Sequence, residues 1–230
     1  MKLVDKLIEE EWLKSPEIIG AFRKIKREDF ILEDKREIAE LNEALPIGFG
    51  QTISQPLTVA FMLELLQPKP GDKILDVGAG SGWTAAILAE IAGPKGKVVA
   101  MEIIPELVEF GKNNVAKYGF IESETVDFIL GNGSLGFKKE APYDKILVSA
   151  SGKKAPEELK KQLKINGRLV CCIENSIWLF IKKNSSLTNF GDKKSEKKSE
   201  KKINAPKLVG DKNEFEQKEY PGFVFVPLVK

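Results

Sequence analysis

Two short stretches group residues that can hold a small molecule and steer a reaction. The first is 50-GQTISQP-56, which sets amide, hydroxyl and glycine groups beside a single isoleucine just before an apolar helical run. The second is 74-ILDVGAGSGWTAAILA-89. There an apolar strand carrying Asp76 passes through Gly78-Ala79-Gly80-Ser81-Gly82 straight into a helix pattern. Glycines let the backbone approach a ligand and adopt positive φ. A helix start offers N–H groups without an intrahelical partner, and open α/β sheets bind ligands at such strand ends. Glu102 follows twenty residues after Gly82, at the tip of the next strand pattern. A carboxylate there can accept both hydroxyl protons of a ribose. A third polar turn, 131-GNGSLGF-137, comes after the following strand.

The rest of the composition narrows the chemistry. The 230 residues contain no histidine, so the commonest general base, triad member and metal ligand is missing. The two cysteines, Cys171 and Cys172, are adjacent; strand neighbours point to opposite faces, which makes them poor disulfide partners. Two cysteines without histidine also argue against structural zinc, and no metal is expected. The formal charge is +2, but 193-KKSEKKSEKK-202 alone carries +4, leaving −2 for the remainder. A near-neutral body with one basic tuft, read as a solvated loop, does not suit a dedicated nucleic-acid binder. No window reaches the roughly 20 apolar residues of a membrane span, and the N-terminus has no apolar signal core, so a cytoplasmic protein with no membrane partner is expected.

The elements that must position these residues follow from periodicity. Residues 2–30 read as short helices broken near Ser15-Pro16, and 31–50 as a connecting arm. A helix should start at Gln55-Pro56 and run to about Leu66, proline being tolerated in the first turn. Strands are expected at 73–77, 97–102, 125–130 and 143–150, alternating with helices at 81–93, 105–119 and 156–163. Such alternation implies parallel pairing and a doubly wound α/β sheet. Two further strands, 167–174 and 177–183, should form an antiparallel hairpin turning at Asn175-Ser176, and 222–230 should be a final strand. The expected organisation is one domain over 1–230: a helical arm at 1–50, a core at 51–183, a flexible lysine-rich insertion at 184–213 and a C-terminal strand at 214–230.

The glycine spacing bears on the cofactor. A dinucleotide fingerprint requires G-x-G-x-x-G, and here the third glycine would fall on Trp83. The G-x-G-x-G spacing after Asp76 instead resembles motif I of class I S-adenosylmethionine methyltransferases. Glu102 suits either cofactor. The longer block LPIGFGQTISQPLTVAFMLELLQPKPGDKILDVGAGSGWTAAILA resembles the protein-L-isoaspartate O-methyltransferase family. RKIKREDFILED, APYDKILVSA, PEELKKQLKINGRLV and FVFVPL are similar to further family segments in the same order.

The resemblance implies a Rossmann-like methyltransferase fold, mostly parallel with antiparallel C-terminal strands and added N-terminal helices. It implies methyl transfer from S-adenosyl-L-methionine to the α-carboxylate of isoaspartyl residues in damaged proteins and peptides. The ester then collapses to a succinimide that hydrolyses partly to aspartate. A carboxylate is already an anionic nucleophile at neutral pH, so the missing histidine is no obstacle. Ser54 is implied as the active-site serine that positions the acceptor, with Thr52, Ile53 and Ala150 in the substrate wall. Asp76, Gly78, Gly80 and Ser81 would surround the methionine part of the cofactor. Glu102 would hold the ribose, Asn132 and Gly133 the adenine, and Ile103 and Leu135 would flank the ring. A monomer is expected.

The chain departs from the family pattern at 149-SASGKKAP-156 and from Cys171 through the lysine-rich stretch, all on the acceptor side. Two alternatives therefore stand beside the isoaspartyl reading: a methyltransferase with another acceptor, and a non-catalytic protein that retains the cofactor pocket.

Overall fold

The computed structural model describes residues 2–154, 156–184, 207–208 and 214–223. The described residues form ten strands and six α-helices. In chain order the helices are α1 (Leu3–Glu9), α2 (Pro16–Lys24), α3 (Pro56–Leu66), α4 (Trp83–Ala92), α5 (Pro105–Ala116) and α6 (Glu157–Lys161). The strands are β1 (Leu45–Gly48), β2 (Gln51–Ile53), β3 (Lys73–Val77), β4 (Lys97–Glu102), β5 (Val126–Leu130), β6 (Tyr143–Gly152), β7 (Leu163–Ile173), β8 (Ser176–Lys182), β9 (Lys207–Leu208) and β10 (Phe215–Pro221).

The main sheet has eight strands in the order β5-β4-β3-β6-β7-β8-β10-β9. From β5 through β7 every pairing is parallel, and from β7 onward every pairing is antiparallel. The expected sheet is therefore present, antiparallel end included. Its strand order reverses between β3 and β6, which is the switch point where open α/β sheets bind ligands. β3 and β4 carry almost unbroken buried side chains because helices cover the sheet.

The two faces are covered unequally. Side chains of α1 to α5 join Ile74, Val98, Ala100, Leu147, Val170 and Cys172 in one core. On the other face Leu75, Val77, Val99, Ile146, Leu169 and Cys171 pack with Tyr143, Phe180, Phe215 and Leu159 of α6. The adjacent cysteines thus lie on opposite faces, both buried and free.

Two local expectations need correction. The arm at 31–50 is not a plain connector: its end pairs with Gln51–Ile53 as an antiparallel hairpin, Leu45 opposite Ile53. The β7–β8 turn lies at Glu174-Asn175, one residue early, because Ile173 pairs with Ser176 and Glu174 takes φ +51°. Within the C-terminal segment 214–230 the described strand is Phe215–Pro221; Gly222 and Phe223 are past it, and the rest of the strand expected at 222–230 lies outside the described residues. The basic tuft at 193–202 also lies outside the described residues.

Candidate active site

A cavity of about 500 Å³ opens at the switch point. That is within the usual ~300–1,000 Å³ of small-molecule sites. Its floor comes from the C-terminal ends of four adjacent parallel strands: Val77 ending β3 and Gly78 after it, Met101 and Glu102 in β4, Gly131 to Gly133 after β5, and Ser149 with Ala150 in β6. Its other wall is the hairpin and loop, Ile47, Gln51, Thr52, Ser54 and Gln55. A second space of about 30 Å³ lies against Thr52, Ile53 and Ser54, between them and the glycine loop, Trp83, Thr84 and Ser149.

Glu102 is the main polar group of the floor and is only 7 % exposed. Its Oε2 accepts from Gly80 N at 3.0 Å, and Oε1 accepts from Ile103 N at 2.7 Å and Ile104 N at 3.1 Å. Three backbone donors fix the carboxylate's orientation, and simple lone-pair counting leaves one acceptor position, on Oε2. Beside it stand the apolar side chains of Val77, Met101, Ile103 and Ile104. The expected acceptance of both ribose hydroxyls is thus reduced to one: a single aimed acceptor among apolar walls fits one hydroxyl of an amphipathic nucleoside.

The glycine loop contributes room more than donors. Gly78 N and Ala79 N both donate to Met101 O, at 2.9 and 3.0 Å, and Gly82 N donates to Ala79 O at 2.8 Å. With Gly80 N on Glu102, four N–H groups of the loop are already bonded within the fold, all of them before the first helical residue, Trp83. Gly78 has φ +77°, and a Cβ there would lie 3.4 Å from the Cβ of Ala150. Gly82 has a packing reason instead: at φ +87°, its Cβ would meet Val115 at 2.8 Å and Gly111 O at 2.9 Å. Asn114 Nδ2 donates to Ser81 O at 3.1 Å, so α5 holds the loop from behind.

Asp76 does not line the cavity. It is fully buried behind the loop, where its Oδ2 accepts from the Thr84 hydroxyl at 2.7 Å and its Oδ1 has no partner. Burial, reinforced by the nearby Glu102 charge, pushes its carboxyl up to about 7. Ser81 and Ile53 border only the smaller space, and Leu135 is 59 % exposed and borders neither. Asn132 does line the cavity, but its Oδ1 already accepts from Ser134 N at 3.0 Å, capping the turn at 133–135, so one lone pair remains for a ligand.

Ser149 and Ala150 reach the site through a bulge. β6 pairs Val148 with Cys171 and then Ser151 with Cys172, so two residues are left unpaired and turned toward the cavity. Lys153 and Lys154 are exposed, and Cys171 and Cys172 sit inside the sheet, Cys172 Sγ 3.7 Å from Val148 O. The altered residues at 153–154 and 171–172 therefore do not line the cavity.

The family model for protein-L-isoaspartate(D-aspartate) O-methyltransferase matches residues 1–202. The chain belongs to that family. A protein-L-isoaspartate O-methyltransferase of Methanopyrus kandleri is 46% identical over 169 residues, 74% of each chain. The one from Ignicoccus hospitalis is 44% identical over 173 residues, 75% of this chain and 81% of its own. Among solved structures, a protein-L-isoaspartate O-methyltransferase superposes with TM-score 0.72 at 30% identity, over 80% of this chain and 60% of that one. A candidate member from Plasmodium falciparum, in complex with S-adenosyl-L-homocysteine, shares the fold at TM-score 0.77 and 22% identity, over 99% and 96% of the two chains.

Several residues at this family site were not singled out by sequence reasoning. Asn42 O accepts from Gln55 Nε2, and Asn42 Oδ1 accepts from Leu57 N, both at 2.9 Å, closing the polar loop onto the start of α3. Ser149 borders both spaces. Gln55 was quoted in its motif without a role; Asn42 carries no local signal, because its partners lie 13 and 15 residues away.

Proposed function

We propose that this chain transfers the methyl group of S-adenosyl-L-methionine to the α-carboxylate of L-isoaspartyl residues in damaged proteins and peptides, initiating their repair. The observation that carries the reading is the meeting of Thr52 and Ser54 with Glu102 across one cavity, in a chain of this family. S-adenosyl-L-methionine supplies a methyl group on a sulfonium, already activated for displacement. The chain's task is then to hold, align and dehydrate, and good alignment alone contributes roughly 7–11 kcal/mol. Glu102 takes a ribose hydroxyl on Oε2. Ile103 and the Asn132-Gly133 turn receive the base, while Gly78 and Gly80 leave space for the methionine portion. Ser54 donates a hydrogen bond to the acceptor carboxylate and directs one oxygen at the methyl carbon. Thr52 and Ile53 offer backbone groups to an extended peptide, and Ala150 closes the far side. No base is required, since the acceptor is anionic at neutral pH.

The same reading has the protein act as a cytoplasmic monomer on proteins rather than nucleic acid. The near-neutral body supports this, and among the described residues no helix is long and apolar enough to cross a membrane. The test is repair itself. An isoaspartyl peptide incubated over many turnovers with enzyme and cofactor should convert progressively to the aspartyl form, separable by chromatography. Cofactor consumption without conversion would refute the assignment.

A further inference from the structure

Arg27, within the family-like segment RKIKREDFILED, is the most constrained charged side chain near the cavity, and that resemblance gives it no role. It starts the short 3-10 turn Arg27–Phe30 and is only 4 % exposed. Its guanidinium grips four backbone carbonyls: Nη1 donates to Ala39 O at 2.9 Å and Leu41 O at 3.1 Å, and Nη2 donates to Glu43 O at 2.7 Å and Ser54 O at 3.2 Å. Those acceptors belong to the arm before the hairpin and to the loop after it. Both strands of the hairpin therefore leave and return through one side chain. The guanidinium also lies over the Trp83 ring, 5.5 Å from its centroid, and Trp83 opens α4 directly behind the glycine loop.

The base of this clamp is itself fixed. Phe30 is fully buried and stacks on Tyr118 at 5.8 Å, while the Tyr118 hydroxyl donates to Asp29 Oδ2 at 2.7 Å and accepts from Lys26 N at 2.8 Å. The clamp thus stands on Tyr118, just past the end of α5, the helix that also supports the glycine loop through Asn114.

We infer that Arg27 is a positioning residue for methyl transfer: by holding the carbonyls of residues 39, 41, 43 and 54 together, it sets the acceptor wall containing Ser54 at a fixed distance from the cofactor side. The inference rests on the isoaspartyl reading above. A planar guanidinium can serve four carbonyls at once from two nitrogens, which a lysine ammonium with three tetrahedral donors cannot reproduce. Burial lowers the Arg27 pKa to about 10, so the group remains charged at neutral pH. All four hydrogen bonds are consequently charge-assisted. No contact of Arg27 reaches the floor at Glu102, so loss of the clamp should disturb acceptor alignment and spare cofactor binding.

The experiment compares full-length wild type, R27K and R27A with an isoaspartyl peptide. The readouts are cofactor Kd by calorimetry, peptide KM and kcat, and recovery of R27A on adding guanidinium ion. The expected result is at least a tenfold loss of kcat/KM in R27K, cofactor Kd within twofold of wild type, and partial recovery of R27A by guanidinium but not by ammonium. W83F keeps the clamp's hydrogen bonds under a weaker ring and should give a smaller loss in the same parameter; it carries the test if R27A fails to fold. Wild-type kcat/KM in R27K, or equal losses in cofactor affinity and kcat/KM, would overturn the inference. Failure of wild type to methylate the peptide would instead defeat the function on which it rests.

Discussion

Replacing Asp76 by Asn isolates the cost of keeping a carboxyl group behind the glycine loop. In the fold Asp76 is fully buried, has one hydroxyl donor and leaves Oδ1 unpartnered, and its carboxyl is raised from an ordinary 3.8 to about 7. At about 1.4 kcal/mol per pH unit, the ionised form is roughly 4 kcal/mol less favourable in the fold than in the unfolded chain. Below about pH 4 the group is protonated in both states and contributes no pH dependence. Between about pH 4 and 7 the unfolded chain has released its proton while the fold retains it, so this group makes stability fall as pH rises. Above about pH 7 the whole penalty is present. Asn cannot ionise and can still accept from Thr84, but its amide N–H₂ falls where no partner stands, at a cost of about 1–3 kcal/mol. D76N should therefore be less stable than wild type near pH 4.5 and more stable by about 1–3 kcal/mol near pH 8. Urea unfolding of cofactor-free protein at several pH values gives the difference directly. A stability difference that does not change with pH would refute the assignment of a raised Asp76 carboxyl.

Four further outcomes are expected. Glu102→Ala should weaken cofactor binding at least tenfold, about 1.4 kcal/mol, as measured by calorimetry; unchanged affinity would remove Glu102 from the site. Ser54→Ala should lower kcat with cofactor Kd unchanged, whereas abolished cofactor binding would give the loop another role. Gly82→Ala should destabilise by at least about 2 kcal/mol in thermal unfolding, combining positive-φ strain with collision against Val115 and Gly111, and a wild-type Tm would contradict that packing. Deleting residues 193–202 should leave methylation of an isoaspartyl peptide nearly unchanged; a large loss would assign the segment to the substrate site.

Sequence legibility varied with how local the determining contacts are. β3 and β4 are continuous apolar runs ending in glycine turns or an acid, and their observed limits match the expected ones. Glu102 is readable for the same reason, as the acid at a strand tip. The hairpin at 45–53 was hidden because Pro46, Gly48 and Gly50 make two very short strands look like a loop. β10 is hard to read inside the C-terminal segment because FEQKEYP buries only Phe215 and Tyr220, while the neighbouring GFVFVPLV offers the stronger apolar signal. The contacts of Arg27 are invisible in its segment, since it binds backbone carbonyls 12 to 27 residues away and carbonyls leave no trace in residue type. Leu135 looked like a ring-flanking side chain because its turn follows β5 in the right place. In the fold its side chain faces solvent, while Gln162 Nε2 donates to its carbonyl.

The central claim is that Ser54 and Glu102 face one another across a cavity so that an isoaspartyl carboxylate receives a methyl group. The most direct measurement is incorporation of labelled methyl from S-adenosyl-L-methionine into a peptide with one isoaspartyl residue, beside its aspartyl twin of the same composition. The account predicts labelling of the first alone, as a base-labile ester at that residue. Equal labelling of both, or of neither while the cofactor binds, would contradict it.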